Sequence, residues 1–221
     1  MLEVSGRTIG AVLFDFDGVL IRSLEDHYSS WNAILSEFGV TLQWDEFAVT
    51  EGQSLFTIAR QFCQKHSIDP SHAEDIAKRK NELYLSTAKI KSYDGVFPVL
   101  DFLQALGMPM GVVTGAHRDR FNVSASPTML AYFKSVVTAD EVGKTKPNPE
   151  PYLTAASSLG VAPTGCLVVE NAPLGIQAAK NAGMWCYAVT TTLDSTYLEG
   201  ADWTGKDLVE FLRFLKTGVS S

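Results

Sequence analysis

Two kinds of hydrophobic spacing alternate along the chain. Short continuous apolar runs, the mark of strands buried on both faces of a parallel sheet, occupy residues 11–16, 110–114, 135–138, 166–169 and 185–190. Between and after the later runs, apolar positions recur with the 3.6-residue helical period over residues 95–106, 149–159, 174–182 and 206–215. A repeating strand–helix order predicts an α/β protein whose parallel sheet is joined by right-handed crossovers. Residues 23–91 break the alternation with successive helical patterns and no convincing strand. Trp31, Ile34, Leu35 and Phe38 share one stripe of a helix over residues 24–38, and Ser71-His72-Ala73-Glu74 reads as a capping box opening a long helix toward Lys89. The expected organisation is a core of residues 1–22 and 92–221 with an all-helical cap domain, residues 23–91, inserted after the first strand. Such an insert sits over the carboxyl ends of the strands, where open α/β sheets bind ligands. The Ser/Gly tail after Lys216 reads as frayed.

Composition narrows the partners more than the fold. The 221 residues carry 18 Lys and Arg against 25 Asp and Glu, a net charge of −7, with 46% hydrophobic residues. A length of about one and a half times the usual ~150-residue domain suits one large domain or a core with an insert. No basic stripe offers itself to a nucleic-acid backbone or an anionic membrane surface, so neither is an expected partner. The first residues lack a basic leader, and the run from Ile9 is cut by Asp15 and Asp17 far short of a membrane span. Three cysteines, Cys63, Cys166 and Cys186, form no C-x-x-C pair and fit reduced thiols, so a cytoplasmic protein, monomeric or a weak homodimer, is expected.

The chemistry concentrates where strands end. Phe14-Asp15-Phe16-Asp17-Gly18 sets two carboxylates two residues apart at the close of a buried strand. Unpaired charge there is heavily penalised, so the pair calls for a cation or hydrogen-bond donors, and residues i and i+2 can face one ligand. The same residues also suit an Asp-Gly turn in which Asp17 caps a helix. Thr114-Gly115 ends a second strand with a hydroxyl and free backbone N–H groups suited to an anion, or with a plain turn. Lys146 precedes prolines that stiffen its loop and could screen a phosphate, or be a solvated lysine. Glu170-Asn171 ends another strand with two oxygen donors suited to Mg²⁺, or with an Asn-Ala-Pro helix cap.

Taken in order, Asp15-x-Asp17-Gly18-Val19, Thr114-Gly115, Lys146-Pro147 and Glu170-Asn171-x-x-x-Gly175 resemble the four motifs of the haloacid dehalogenase-like phosphatases and phosphomutases, over nearly the whole chain. The helical insert, with His27-x-x-x-Trp31 and Lys80, is similar to the cap of the β-phosphoglucomutase and phosphoglycolate phosphatase group. The resemblance implies a Rossmann-like core with an inserted helical cap, and a small phosphorylated metabolite as substrate. It implies Asp15 as a nucleophile forming an aspartyl-phosphate, Asp17 as general acid and base, and Thr114 and Lys146 gripping the phosphoryl oxygens. It implies Mg²⁺ held by Asp15, Asp17, Glu170 and Asn171. Substrate-binding positions would be Gly18, His27, Trp31, Gln53, Lys80, Gly115, Ala116 and Arg118.

Departures from the pattern shape the expected reaction. Asn171 stands where many relatives have an aspartate, so a higher Mg²⁺ requirement than in an Asn171→Asp variant is expected, and Arg22 stands where relatives have an acid. Leu55, Ala116 and His117 occupy the positions at which the mutases hold a second phosphate, with Arg118 as a partial substitute. These residues favour a hydrolase over a mutase, with cap-loop geometry around Glu51 to Leu55 and Lys80 setting the substrate. A non-catalytic binding module would have no need of intact Asp15, Asp17, Thr114 and Lys146, and a haloacid dehalogenase no need of Asp17 or a metal. His66 and His72 read as solvated, Trp44, Trp185 and Trp203 as packing, and Cys166 and Cys186 as inert in buried strands.

Overall fold

The computed structural model of the chain describes residues 2–217. An antiparallel hairpin of β1 (Leu2–Val4) and β2 (Arg7–Ile9) leads into β3 (Ala11–Phe14). Four helices follow: α1 (Leu24–Ser36), α2 (Trp44–Ala48), α3 (Leu55–Lys65) and α4 (Ala73–Thr87). The remainder alternates, with α5 (Val96–Ala105), β4 (Met110–Val113), α6 (Arg118–Ser124), α7 (Pro127–Leu130) and β5 (Ser135–Val137). Then come α8 (Glu150–Leu159), β6 (Cys166–Glu170), α9 (Pro173–Asn181), β7 (Trp185–Val189), β8 (Trp203–Gly205) and α10 (Leu208–Thr217).

Six strands form one parallel sheet in the order β5-β4-β3-β6-β7-β8. The strand period of two explains how one short run feeds two cores: Val12 and Phe14 of β3 join the cluster that includes Val99, Leu100 and Phe211, while Ala11 and Leu13 join Tyr152, Ala155 and Ile176 on the other face. All four β3 residues and all five β6 residues are buried, which is why these strands read as unbroken apolar runs. The order reverses at β3, where the chain first proceeds to β4 and β5 and then returns to β6 on the other side. The carboxyl ends of β4, β3 and β6 therefore lie side by side at a switch point.

The helical insert has its own core of Trp31, Leu35, Phe47, Phe62, Cys63 and Ile76, with Trp31 edge-on to Phe62. Burying a side chain of this size contributes about 2–3 kcal/mol. Its entry and exit segments run together, Ile21 bridging Ser92 and the Arg22 N–H donating to the Lys91 carbonyl at 2.7 Å.

The sequence pattern misses the β1–β2 hairpin, the edge strand β8 and the short α2, and it overruns α1 and α4 by two residues each. The capping box at Ser71 does not form. Asp69 instead accepts from the Ser71 N–H at the head of a 3₁₀ turn, Pro70–His72, from which α4 continues without a side-chain cap. His66 is half-buried against Glu46 rather than solvated, whereas His72 is exposed. The three tryptophans are packing residues as expected, Trp185 against Trp203 and Trp44 donating to the Thr192 carbonyl. Burial pushes the Cys166 thiol up to about 11 and the Cys186 thiol well above the usual thiol range, keeping both protonated. Apart from Thr217, the tail expected to fray lies outside the described residues. No described helix is long and apolar enough to cross a membrane.

Candidate active site

The residues singled out from the sequence arrive at one place because each follows the end of a neighbouring strand. Asp15 follows β3, Thr114 follows β4, and Glu170 closes β6. Lys146 reaches them from the loop before α8, where its peptide bond to Pro147 is cis. Asp15, backed by Lys146 and through it by Glu170, forms the floor of a cavity of about 420 Å³ that is roofed by the helical insert.

Lys146 is the hub of the floor. Its ammonium, 2% exposed, donates to Asp15 Oδ1 and Glu170 Oε1, both at 2.6 Å, and to the Val113 carbonyl at 3.2 Å. Burial alone would pull its pKa down, but Asp15 and Glu170 outweigh that and hold it above the ordinary lysine range. Glu170 is fully committed: Oε1 also accepts from the Tyr152 hydroxyl at 2.7 Å, and Oε2 accepts the N–H groups of Asn171 and Ala172 at 3.0 and 3.2 Å. Burial, with Glu170 adding, keeps the tyrosine hydroxyl protonated. Two carboxylates thus share one ammonium, and burial followed by the Glu170 charge raises the Asp15 carboxyl well above its usual range against the pull of Lys146. The floor lacks one positive charge.

Asp17 lives in a different electrostatic setting. Arg120 grips both of its oxygens, Nη1 to Oδ1 at 3.2 Å and Nη2 to Oδ2 at 2.5 Å, while Ser23 donates to Oδ1 at 2.5 Å. Burial pushes this carboxyl up, but Arg120 and the His27 contact more than reverse the effect and hold it well below the carboxylate range. His27 is fully buried and stacks on Tyr84 at 3.9 Å. Burial, reinforced by Lys80, lowers its pKa to about 3, so the ring is neutral. Its Nδ1 meets Lys80 Nζ, while its Nε2 lies 3.0 Å from Arg120 Nη1, which can only donate, and 3.6 Å from Asp17 Oδ1. Lys80 itself, pressed by burial and by Arg120, falls to about 7.

A divalent cation fits this floor. Asn171 Oδ1 is buried without a hydrogen-bond partner, although its Nδ2 donates to Thr192 Oγ1 at 3.0 Å. The amide lies against Gly18, where a side chain would overlap it, and Gly18 adopts a φ of 84° that glycine tolerates. An orphaned carbonyl oxygen, the Asp15 carboxylate with a spare oxygen and the adjacent Asp17 backbone carbonyl make a hard, oxygen-only donor set for an ion such as Mg²⁺. No cluster of three or more His, Cys, Asp and Glu suited to a metal occurs among the described residues. Glu170, expected as a ligand, has its oxygens engaged by four donors and orients Lys146 and the Asn171 turn instead. Asn171 does not cap α9, whose first flanking residue is Ala172.

The other expected contacts divide. Thr114 is buried beside the floor, its Oγ1 accepting the Ala116 N–H at 3.1 Å. Gly115, Ala116, His27, Trp31, Gln53 and Lys80 all line the cavity. Trp31 nonetheless belongs to the helical core at 1% exposure, with the Lys80 ammonium 5.2 Å over its ring, and the Gln53 amide pairs with Gln61. Arg118 is a correction. It points away from the cavity, donating to the Val136 carbonyl at 3.0 Å and to Glu141 at 2.6 Å. Arg120 takes the cavity position instead. The two arginines lie two residues, about 200°, apart on α6, so they cannot share a face, and the helical period held the signal that choosing the first one overlooked. Gly115 also marks where the insert meets the core: a Cβ there would lie 2.8 Å from the Gln53 carbonyl oxygen and 3.0 Å from Gly52.

Comparison with known proteins agrees with this geometry. The sequence pattern defining haloacid dehalogenase-like hydrolases matches residues 12–189. The chain is 36% identical over 204 residues to a validoxylamine A 7′-phosphate phosphatase from Streptomyces hygroscopicus subsp. limoneus, covering 90% of this chain and 93% of that one. It is 31% identical over 177 residues to a fructose-1-phosphate phosphatase of Escherichia coli, covering 78% and 92%. A solved structure of a candidate β-phosphoglucomutase from Bacteroides vulgatus superposes with a TM-score of 0.84 at 31% identity, covering 97% of this chain and 91% of that one.

Proposed function

The chain belongs to the haloacid dehalogenase-like hydrolase family, and from that premise we propose that it is a Mg²⁺-dependent phosphatase that cleaves a small sugar or polyol phosphate through an aspartyl-phosphate on Asp15. The observation that carries the reading is the meeting of Asp15 and Asp17 in one cavity, with Lys146 bonded to Asp15 and the unpartnered Asn171 oxygen on an amide that lies against Gly18.

In the first step a carboxylate oxygen of Asp15 attacks phosphorus, the bond from phosphorus to the ester oxygen breaks, and Asp17 gives that oxygen a proton. Arg120 must release Asp17 for this to happen. In the second step Asp17 takes a proton from water as the water oxygen attacks the same phosphorus, freeing inorganic phosphate and restoring Asp15. Lys146 and the Thr114 hydroxyl neutralise charge on the phosphoryl oxygens, and Glu170 with Tyr152 keeps the lysine aimed. Mg²⁺, held by Asp15, the Asp17 carbonyl and Asn171, would supply Lewis-acid neutralisation of the phosphoryl group. Its need is consistent with the missing positive charge of the floor. The insert, seated on Gly115, excludes bulk water.

A phosphomutase of the β-phosphoglucomutase type is the competing reading. It is less well supported, because a mutase must hold a second phosphate and Arg118, the residue offered for that task, is turned outward to Glu141.

The test is inorganic phosphate release from a panel of sugar and polyol phosphates with excess Mg²⁺. Turnover of at least one ester, falling roughly a thousandfold or more in Asp15→Asn, is expected. No release from any ester, or an unimpaired Asp15→Asn, would refute the proposal. Faster conversion of β-glucose 1-phosphate to glucose 6-phosphate than to phosphate would favour the mutase.

A further inference from the structure

Beyond the phosphate-handling floor, the cavity has a sign. Glu51 lies on the turn between α2 and α3 and lines the same cavity as Asp17, the space left for the ester's leaving group on the phosphatase reading. Among the described residues its carboxylate forms no hydrogen bond or ion pair. Asp17, Lys80, Arg120 and Lys146 are the charged groups that act on it, and burial, with Asp17 adding, pushes its pKa up to about 7. Each of those cations already has an occupant: Lys80 is held by His27, Arg120 by both oxygens of Asp17, and Lys146 by Asp15 and Glu170. At the cavity rim, Lys78 stands one helical turn from Glu74 on one side and from Glu82 on the other, so the entrance carries no net positive charge either.

We propose that Glu51 is a specificity-determining residue that selects phosphate esters whose leaving group is an uncharged polyol and rejects those carrying a second anionic group. A hydroxylated leaving group offers O–H donors to the unpartnered carboxylate. A second phosphate or carboxylate meets a like charge in a half-buried site and, on binding, before Arg120 releases Asp17 for proton transfer, finds each nearby cation already engaged, so its desolvation goes uncompensated. Discrimination of this kind comes from a repulsive element as much as from an attractive one. The placement depends on the seat of the cap loop, because the Gly52–Gln53 backbone rests on Gly115 and fixes the turn that carries Glu51.

The inference rests on the phosphatase reading of the same cavity, and its test separates the two. Sorbitol 6-phosphate and 6-phosphogluconate have the same chain length and differ at the far end, a hydroxymethyl against a carboxylate. Their inhibition constants against p-nitrophenyl phosphate hydrolysis are compared at pH 8, where Glu51 is ionised. The wild type is expected to bind the polyol at least about tenfold more tightly. Glu51→Gln is expected to shrink that ratio severalfold by improving the acid, and Glu51→Lys to invert it. Each ratio is taken within one variant, so a partly folded preparation does not disturb it. Equal constants in the wild type, an unchanged ratio in Glu51→Gln, or no competition by either ligand at millimolar concentration would overturn the role of Glu51. If p-nitrophenyl phosphate is not hydrolysed, phosphate release from the sugar and polyol panel decides the phosphatase reading, and calorimetric dissociation constants for the same pair decide Glu51 alone.

Discussion

Replacing Asn171 by aspartate should change metal dependence and metal-free stability in opposite directions. Asn171 Oδ1 is buried without a donor, and its Nδ2 holds the Thr192 hydroxyl at 3.0 Å. The substitution keeps the shape and adds one negative charge beside a floor where Asp15 and Glu170 already share Lys146. Two unit charges about 4 Å apart interact by ~4 kcal/mol at an effective dielectric near 20. Much of that attraction to a divalent ion is cancelled by desolvation and by repulsion from Asp15 and Asp17. A net gain of about 1.4 kcal/mol corresponds to a tenfold lower half-saturating Mg²⁺ concentration in a phosphate-release titration. In chelator the same charge is uncompensated and costs about 1–2 kcal/mol, which lowers Tm by roughly 2–8 °C for a chain of this size. Equal half-saturation in wild type and variant would refute the assignment of Asn171 to the metal. So would a variant as stable as the wild type in chelator.

Two further outcomes follow from the wall of the cavity. Arg120→Met strands the buried Asp17 carboxylate with Ser23 and His27 and should destabilise the protein by about 3–5 kcal/mol in denaturant titration, whereas Arg118→Met breaks a partly exposed pair and should cost about 0–1 kcal/mol; equal losses would contradict the opposite orientations of the two side chains. The His27 pKa falls from 6.5 to about 3 on folding, so the unfolded chain takes up a proton first as the solution is acidified. Stability from this residue is complete above pH 6.5 and is lost as pH drops toward 3, by up to several kcal/mol, and a His27→Gln variant with the same slope over that window would rule this out.

The parts of this architecture that can be read from the sequence are those where burial is two-sided. Strands β3, β4 and β6 lie in the middle of the sheet, and their unbroken apolar runs admit no other reading. Strands β1, β2 and β8 are three residues each and only partly buried, so such fragments carry too little pattern to separate from turns. Ser5 and Gly6, both with positive φ, supply the only local hairpin cue. At the site, Asp15 and Thr114 are legible because strand ends fix them, and Lys146 because the prolines after it mark its loop. Arg120 is not, since its role depends on how α6 is rotated, and neither is the saturation of Glu170, which needs Lys146 and Tyr152 brought in from distant segments.

The joint at Gly115 has a bearing on how such an enzyme could change its diet. The seal between insert and core is made by main-chain atoms of Gly52 and Gln53 pressed on a residue that lacks a side chain. Shutting the chamber therefore demands nothing of the neighbouring side chain at 51, which is free to be exchanged for another that greets a different guest. Adapting the chamber to a new compound and keeping it watertight are separate tasks here, so a swap at that position can alter what enters without making the door leak.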